Sequence, residues 1–202
     1  MATQAWIHPK LGSFGAGDSW DRKINIPEFA AFSYDTGYSG ARRSTGDISF
    51  GFGPHSSKEN LPTPTPEMIA VADRILNDPA ALVQNVIDAL WEEFNGRGPR
   101  SGMSWRGALV PGSPSFGDLG EPPPSSAQDL LEMLRLSGIV VQDKWWDYPQ
   151  PIAILVFSAL FDQEHGVSVL TDGLTILGTG LAGEAEIWEH LRPPGSLDEH
   201  DE

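Results

Sequence analysis

The stretch Ile152–Leu177, IAILVFSALFDQEHGVSVLTDGLTIL, decides the fold. Ile152–Leu160, Gly166–Leu170 and Leu174–Leu177 are short apolar runs rich in β-branched residues, each bounded by turn formers. Asp172-Gly173 is a hairpin turn signal, because glycine reaches the backbone angles that such turns demand. With Ile139–Gln142 ahead of it, the segment predicts a C-terminal β-meander.

Outward toward the N-terminus, the pattern changes twice. The first sixty residues predict strand and loop, with strands over Lys23–Ile26, Phe29–Tyr34 and Asp47–Phe52. Ile48, Phe50 and Phe52 alternate with Ser49 and Gly51, the period of a strand with one buried face. Two helices follow. Thr65 is a suitable N-cap, Pro66 fits the first helical position, and Met68, Val71, Ala72 and Ile75 form an apolar stripe. Asn77-Asp78-Pro79 breaks that helix and caps the next. Leu82, Val83, Val86, Ile87, Leu90, Trp91 and Phe94 then fall at 3–4 spacing. Ser126, with Asp129 three residues on, reads as a capping box opening a short helix through Leu130, Leu131, Leu134 and Leu136. Glu184–Leu191 predicts a last short helix. Strands at both ends of the chain around a central helical segment make an α+β fold. Residues 1–192 read as a single domain, with a Gly/Pro/Ser-rich loop at 96–125 and a flexible acidic tail at 193–202.

Composition bounds the function. Gly107–Glu202 carries sixteen Asp and Glu against Arg135, Lys144 and Arg192, whereas Met1–Arg106 is nearly neutral; the whole chain carries a formal charge of −15. Such a surface repels nucleic acid and anionic membrane and attracts basic proteins. There is no cysteine, so disulfides, thiolate metal sites and cysteine nucleophiles are excluded. The start of the chain has neither the basic residues nor the apolar run of a signal peptide, and Pro151–Phe161 is about half a membrane helix. A soluble cytoplasmic protein without a cofactor is expected.

The chemical motifs are weak. Gly178-Thr179-Gly180-Leu181-Ala182-Gly183 matches a dinucleotide-binding pattern, but too few residues follow for the returning strand, and Glu184 and Glu186 would crowd a phosphate. A glycine-rich turn is the better reading. His8, His55, His190 and His200 have no metal-ligand spacing. Asp143, Asp147, Asp162 and Asp172 are candidates for calcium, without an EF-hand loop. Glu164-His165 offers a carboxylate beside an imidazole, yet neighbours on an extended chain point apart. Trp145-Trp146-Asp147-Tyr148 is either an interface hot spot or a loop folded over the core with one ring buried.

Two patches resemble a loosely defined group of uncharacterised small acidic bacterial proteins, some linked to polymorphic-toxin immunity. One is Ile7-His8-Pro9-Lys10-Leu11-Gly12 with Trp20 after it. The other comprises Leu134-Arg135-Leu136, Ile139-Val140-Val141, Ile152 to Phe157, His165-Gly166-Val167-Ser168-Val169 and Asp172-Gly173. The resemblance implies an α+β fold and an interaction role; it supplies no functional residues.

Three readings stay open. In the first, the chain is a non-enzymatic, immunity- or antitoxin-type inhibitor that occludes a basic partner. Trp145, Trp146 and Tyr148 would be its anchors, and Asp143, Asp147, Glu164 and Asp172 its charged rim. In the second, a small enzyme works near Glu164, His165 and Asp162 under the 96–125 loop. In the third, the chain is an accessory subunit of a larger assembly.

Overall fold

A computed structural model describes residues 5–16, 19–34, 44–54, 61–98 and 124–192. Most of the 96–125 loop and all of the 193–202 tail lie outside these residues. The described strands are β1 (Ala5–His8), β2 (Gly12–Ala16), β3 (Trp20–Asn25), β4 (Asp47–Gly53), β5 (Leu134–Gln142), β6 (Ile152–Ala159), β7 (Asp162–Thr171), β8 (Ile176–Leu181) and β9 (Glu186–Ile187). They form one sheet in chain order. Every neighbouring pair is antiparallel except β4 and β5, where Phe50 faces Ile139 and Phe52 faces Val141 in parallel register.

A parallel pair needs a long crossover, and here it is helical: α1 (Pro66–Asn77), α2 (Pro79–Phe94) and α3 (Ala127–Met133). The helix starts follow the sequence. Thr65 Oγ1 accepts the Met68 N–H, Asp78 Oδ1 accepts the Ala81 N–H at 3.0 Å, and Ser126 and Asp129 form a reciprocal capping box. The apolar stripes of α1 and α2 pack on one sheet face against Phe50, Phe52, Ile139, Val141, Leu155, Phe157, Val167 and Val169. Each such side chain contributes about 1.5–3 kcal/mol by leaving water.

The opposite face of the C-terminal strands is also covered. Ile152, Ile154 and Leu170 pack there with Trp145, Leu177, Ala185 and Ile187. Burial on both faces explains why β6 reads as a continuous apolar run and not as an alternation.

Four expectations change. Phe29–Tyr34 is not a strand: Pro27–Ala31 is a 3₁₀ turn, and the Ser33 and Tyr34 N–H groups bond to the Leu131 and Leu134 carbonyls. Leu134 and Leu136 leave the helix and enter β5, because Leu134 pairs with Ala159 and Leu136 with Phe157. Glu184–Leu191 becomes β9 and a short 3₁₀ turn at Glu189–Leu191. The expected glycine turn begins as strand, with Gly178–Leu181 lying inside β8. A Cβ at Gly178 would collide with the Glu186 carbonyl oxygen, and one at Gly180 would stand 2.7 Å from Ala185 Cα. These glycines serve close backbone approach, which is what lets β9 dock.

Candidate functional site

The loop from β5 to β6 carries a tight turn, Trp145–Tyr148. The Trp145 N–H donates to the Tyr148 carbonyl at 3.0 Å and the Tyr148 N–H to the Trp145 carbonyl at 2.8 Å. Two paired hydrogen bonds leave Trp146 and Asp147 as the central residues. Trp146 has φ 47, in the left-handed region that glycine or asparagine ordinarily fills.

The two tryptophans part company. Trp145 is buried, and its Nε1–H donates to the Ala185 carbonyl at 2.8 Å, which satisfies the indole inside an apolar cluster. Trp146 is 64% exposed and stands against Trp145 with ring centroids 6.1 Å apart at 75°. A buried ring thus buttresses an exposed one. Tyr148 is half-buried on the same cluster.

Asp172 comes to this end of the sheet because the β7–β8 turn lies beside the β5–β6 loop. Its Oδ1 accepts the Leu174 and Thr175 N–H groups at 2.9 and 2.8 Å, so this carboxylate shapes the turn. Burial, then the nearby Asp172 carboxylate, pushes the Tyr148 phenol above its usual range. Leu174, 49% exposed, shares the turn.

Cations sit here too. Lys144 is exposed one residue before Trp145, and Arg74 Nε donates to the Asp172 carbonyl at 2.8 Å. The patch is therefore of mixed local charge, and the acidic excess belongs to the C-terminal half as a whole.

The remaining candidate residues separate. Asp147 is exposed beside Trp146. Asp143, at the end of β5, lines a cavity of about 170 Å³ with Trp20, Phe52, Pro62 and Met68. Glu164 is exposed in the β6–β7 hairpin, at the other end of β6. Eight residues at ~3.3 Å each place it roughly 25 Å from the Trp146 turn. In that hairpin Asp162 Oδ1 accepts the His165 N–H at 2.9 Å and lies 3.2 Å from His165 Nδ1. The Asp162 carboxylate thus closes the hairpin locally, and among the described residues no hydrogen bond or ion pair joins Glu164 to it.

The four aspartates weighed for calcium do not converge, and among the described residues no three His, Asp or Glu side chains group as a metal site. No described helix is long and apolar enough to cross a membrane. His8, considered in the sequence only as a metal ligand, proves fully buried; it lies in phase with Trp6 on β1, a strand that the sequence did not predict. Comparison with protein-family models, curated proteins and solved structures finds no match.

Proposed function

We propose that this chain is a non-enzymatic protein-binding module of immunity or antitoxin type that occludes a basic partner protein. The observation that carries the reading is Trp146, an exposed indole held at a left-handed backbone position by a turn anchored through buried Trp145. A bulky residue there costs about 1–2 kcal/mol, and strain of this kind concentrates where a protein meets its ligands. A rigid, prepositioned tryptophan loses little entropy on binding, which is the property of an interface hot spot. Tyr148 extends the apolar area, with Asp147 and Asp172 at its margin. The acidic C-terminal half speeds encounter with a positively charged partner, while buried aromatic area supplies the affinity.

The test is affinity capture from the native host at about 50 mM and about 500 mM salt, across which the screening length falls severalfold. It is run with the wild-type chain and with Trp146→Ala. A single basic protein held by the wild type, weakened by salt and lost with Trp146→Ala, supports the reading. Equal capture by both chains sinks the assignment to Trp146, and absence of a stoichiometric partner sinks the function itself.

A further inference from the structure

The β1–β2 hairpin is weakly tied to the sheet. Among the described residues β2 pairs with β3 at Gly15–Asp21 and Ala16–Trp20, whereas β3 and β4 pair from Trp20–Phe52 through Asn25–Asp47. What holds the hairpin down is its inner face, together with Lys10, which bonds Asp73 and Asn77 on α1. Trp6 lies 5.1 Å from Phe52 between ring centroids, and the His8 ring stacks on Phe52 at 5.8 Å and 25°.

His8 is 0% exposed. Its Nδ1 accepts two backbone N–H groups, from Lys10 at 3.1 Å and Leu11 at 3.2 Å, and so closes the turn between β1 and β2. A nitrogen that accepts twice carries no proton, which assigns the hydrogen of the neutral ring to Nε2. Nε2 is itself buried without a partner among the described residues.

Three charged groups face the ring's surroundings. Lys10 sits in the turn, Asp73 on α1 pairs with Lys10 at 2.8 Å, and Arg22 of β3 lays its guanidinium over Gly12. Burial lowers the His8 pKa from 6.5; Asp73 opposes the shift and Lys10 adds to it.

We infer that the β1–β2 hairpin is a flap latched over Trp20 and Phe52 by neutral His8 and released by acid. A proton on Nδ1 turns an acceptor into a donor facing two donors, so both turn hydrogen bonds are lost. It also places a cation among aromatic rings with one carboxylate nearby and two bases. The sign follows from the depressed folded-state pKa. The open flap binds the proton more tightly than the closed one, so the latch is complete above pH 6.5 and weakens as pH falls toward the folded value. Between those limits the opening constant rises tenfold per pH unit.

Hydrogen exchange on the full chain between pH 7 and pH 5, corrected for intrinsic rates, reads this directly. Amides from Trp6 to Phe14 should open up to tenfold more per pH unit below 6.5, while those of Ile154–Val156 and Val167–Val169 hold steady. His8→Gln keeps a side-chain acceptor without a titration and should flatten the profile. If that variant does not fold, the imidazole ¹⁵N shifts of wild-type His8 give the same information, with protonation coinciding with loss of hairpin protection. A flat wild-type profile, equal acceleration across β6 and β7, or a protonated His8 in a closed hairpin would each overturn the inference.

Discussion

Replacing Trp146 by alanine and by glycine separates strain from packing. The residue is 64% exposed, and it makes a T-shaped ring contact with Trp145. Such a contact contributes about 0.5–1.5 kcal/mol. Trp146→Ala loses it and keeps the left-handed backbone, so it should destabilise by about 0.5–1.5 kcal/mol. Trp146→Gly loses the same contact but relieves about 1–2 kcal/mol of backbone strain. The extra freedom of glycine in the unfolded chain returns about 0.4–1 kcal/mol of that. Glycine should therefore come out about 1 kcal/mol more stable than alanine and close to wild type, the reverse of the usual order in regular structure. At this chain length 1 kcal/mol moves Tm by about 2–4 °C. Urea and thermal unfolding followed by far-UV circular dichroism resolve that difference without relying on tryptophan emission. An alanine variant as stable as the glycine variant would refute the strain, and with it the reason for assigning Trp146 a role in binding.

Trp145→Phe keeps a buried ring but removes the donor to the Ala185 carbonyl; urea melts should show a loss of about 1–3 kcal/mol, and an unchanged midpoint would mean that water satisfies the Ala185 carbonyl. Gly178→Ala drives a methyl into the Glu186 carbonyl. Overpacking of this kind costs about 1–3 kcal/mol, and the Trp145 indole N–H resonance should shift as Ala185 moves with β9; an unshifted resonance would show that β9 is not held against β8. Converting Asp143, Asp147, Glu164 and Asp172 to amides should slow association with a basic partner roughly severalfold at low salt and little at high salt, as read by stopped-flow kinetics. Within that set Glu164→Gln alone should have the smallest effect on any contact made through Trp146, since it sits at the other end of β6.

The helices were legible because their signals are local. Thr65, Asp78 and Ser126 each carry a side-chain oxygen in reach of an N–H three residues ahead, and apolar spacing along α1 and α2 needs no knowledge of the rest of the chain. The C-terminal strands were legible for the same reason. Leu134 and Leu136 were not: leucines follow a helical spacing up to Leu131, and only pairing with Ala159 and Phe157 turns them into strand. β1 and β2 left almost no trace, since Pro9, Gly12 and Gly15 interrupt their apolar residues and their order comes from aromatic contacts with β3 and β4. At the candidate site the cluster of rings was visible, but not which ring is buried. That depends on Ala185, forty residues away, offering its carbonyl to Trp145.

By itself the sequence determined the α+β class, three helix starts, the meander and the acidic C-terminal half, because capping, periodicity and net charge act within a few residues or simply add up. Tertiary structure alone decided that strands from both ends share one sheet through the parallel β4–β5 pair, that Glu164 stands apart from Trp146, and that His8 is sealed inside. Backbone hydrogen bonds between strands and the removal of side chains from water depend on partners distant in the chain, and no local pattern records which partner is chosen.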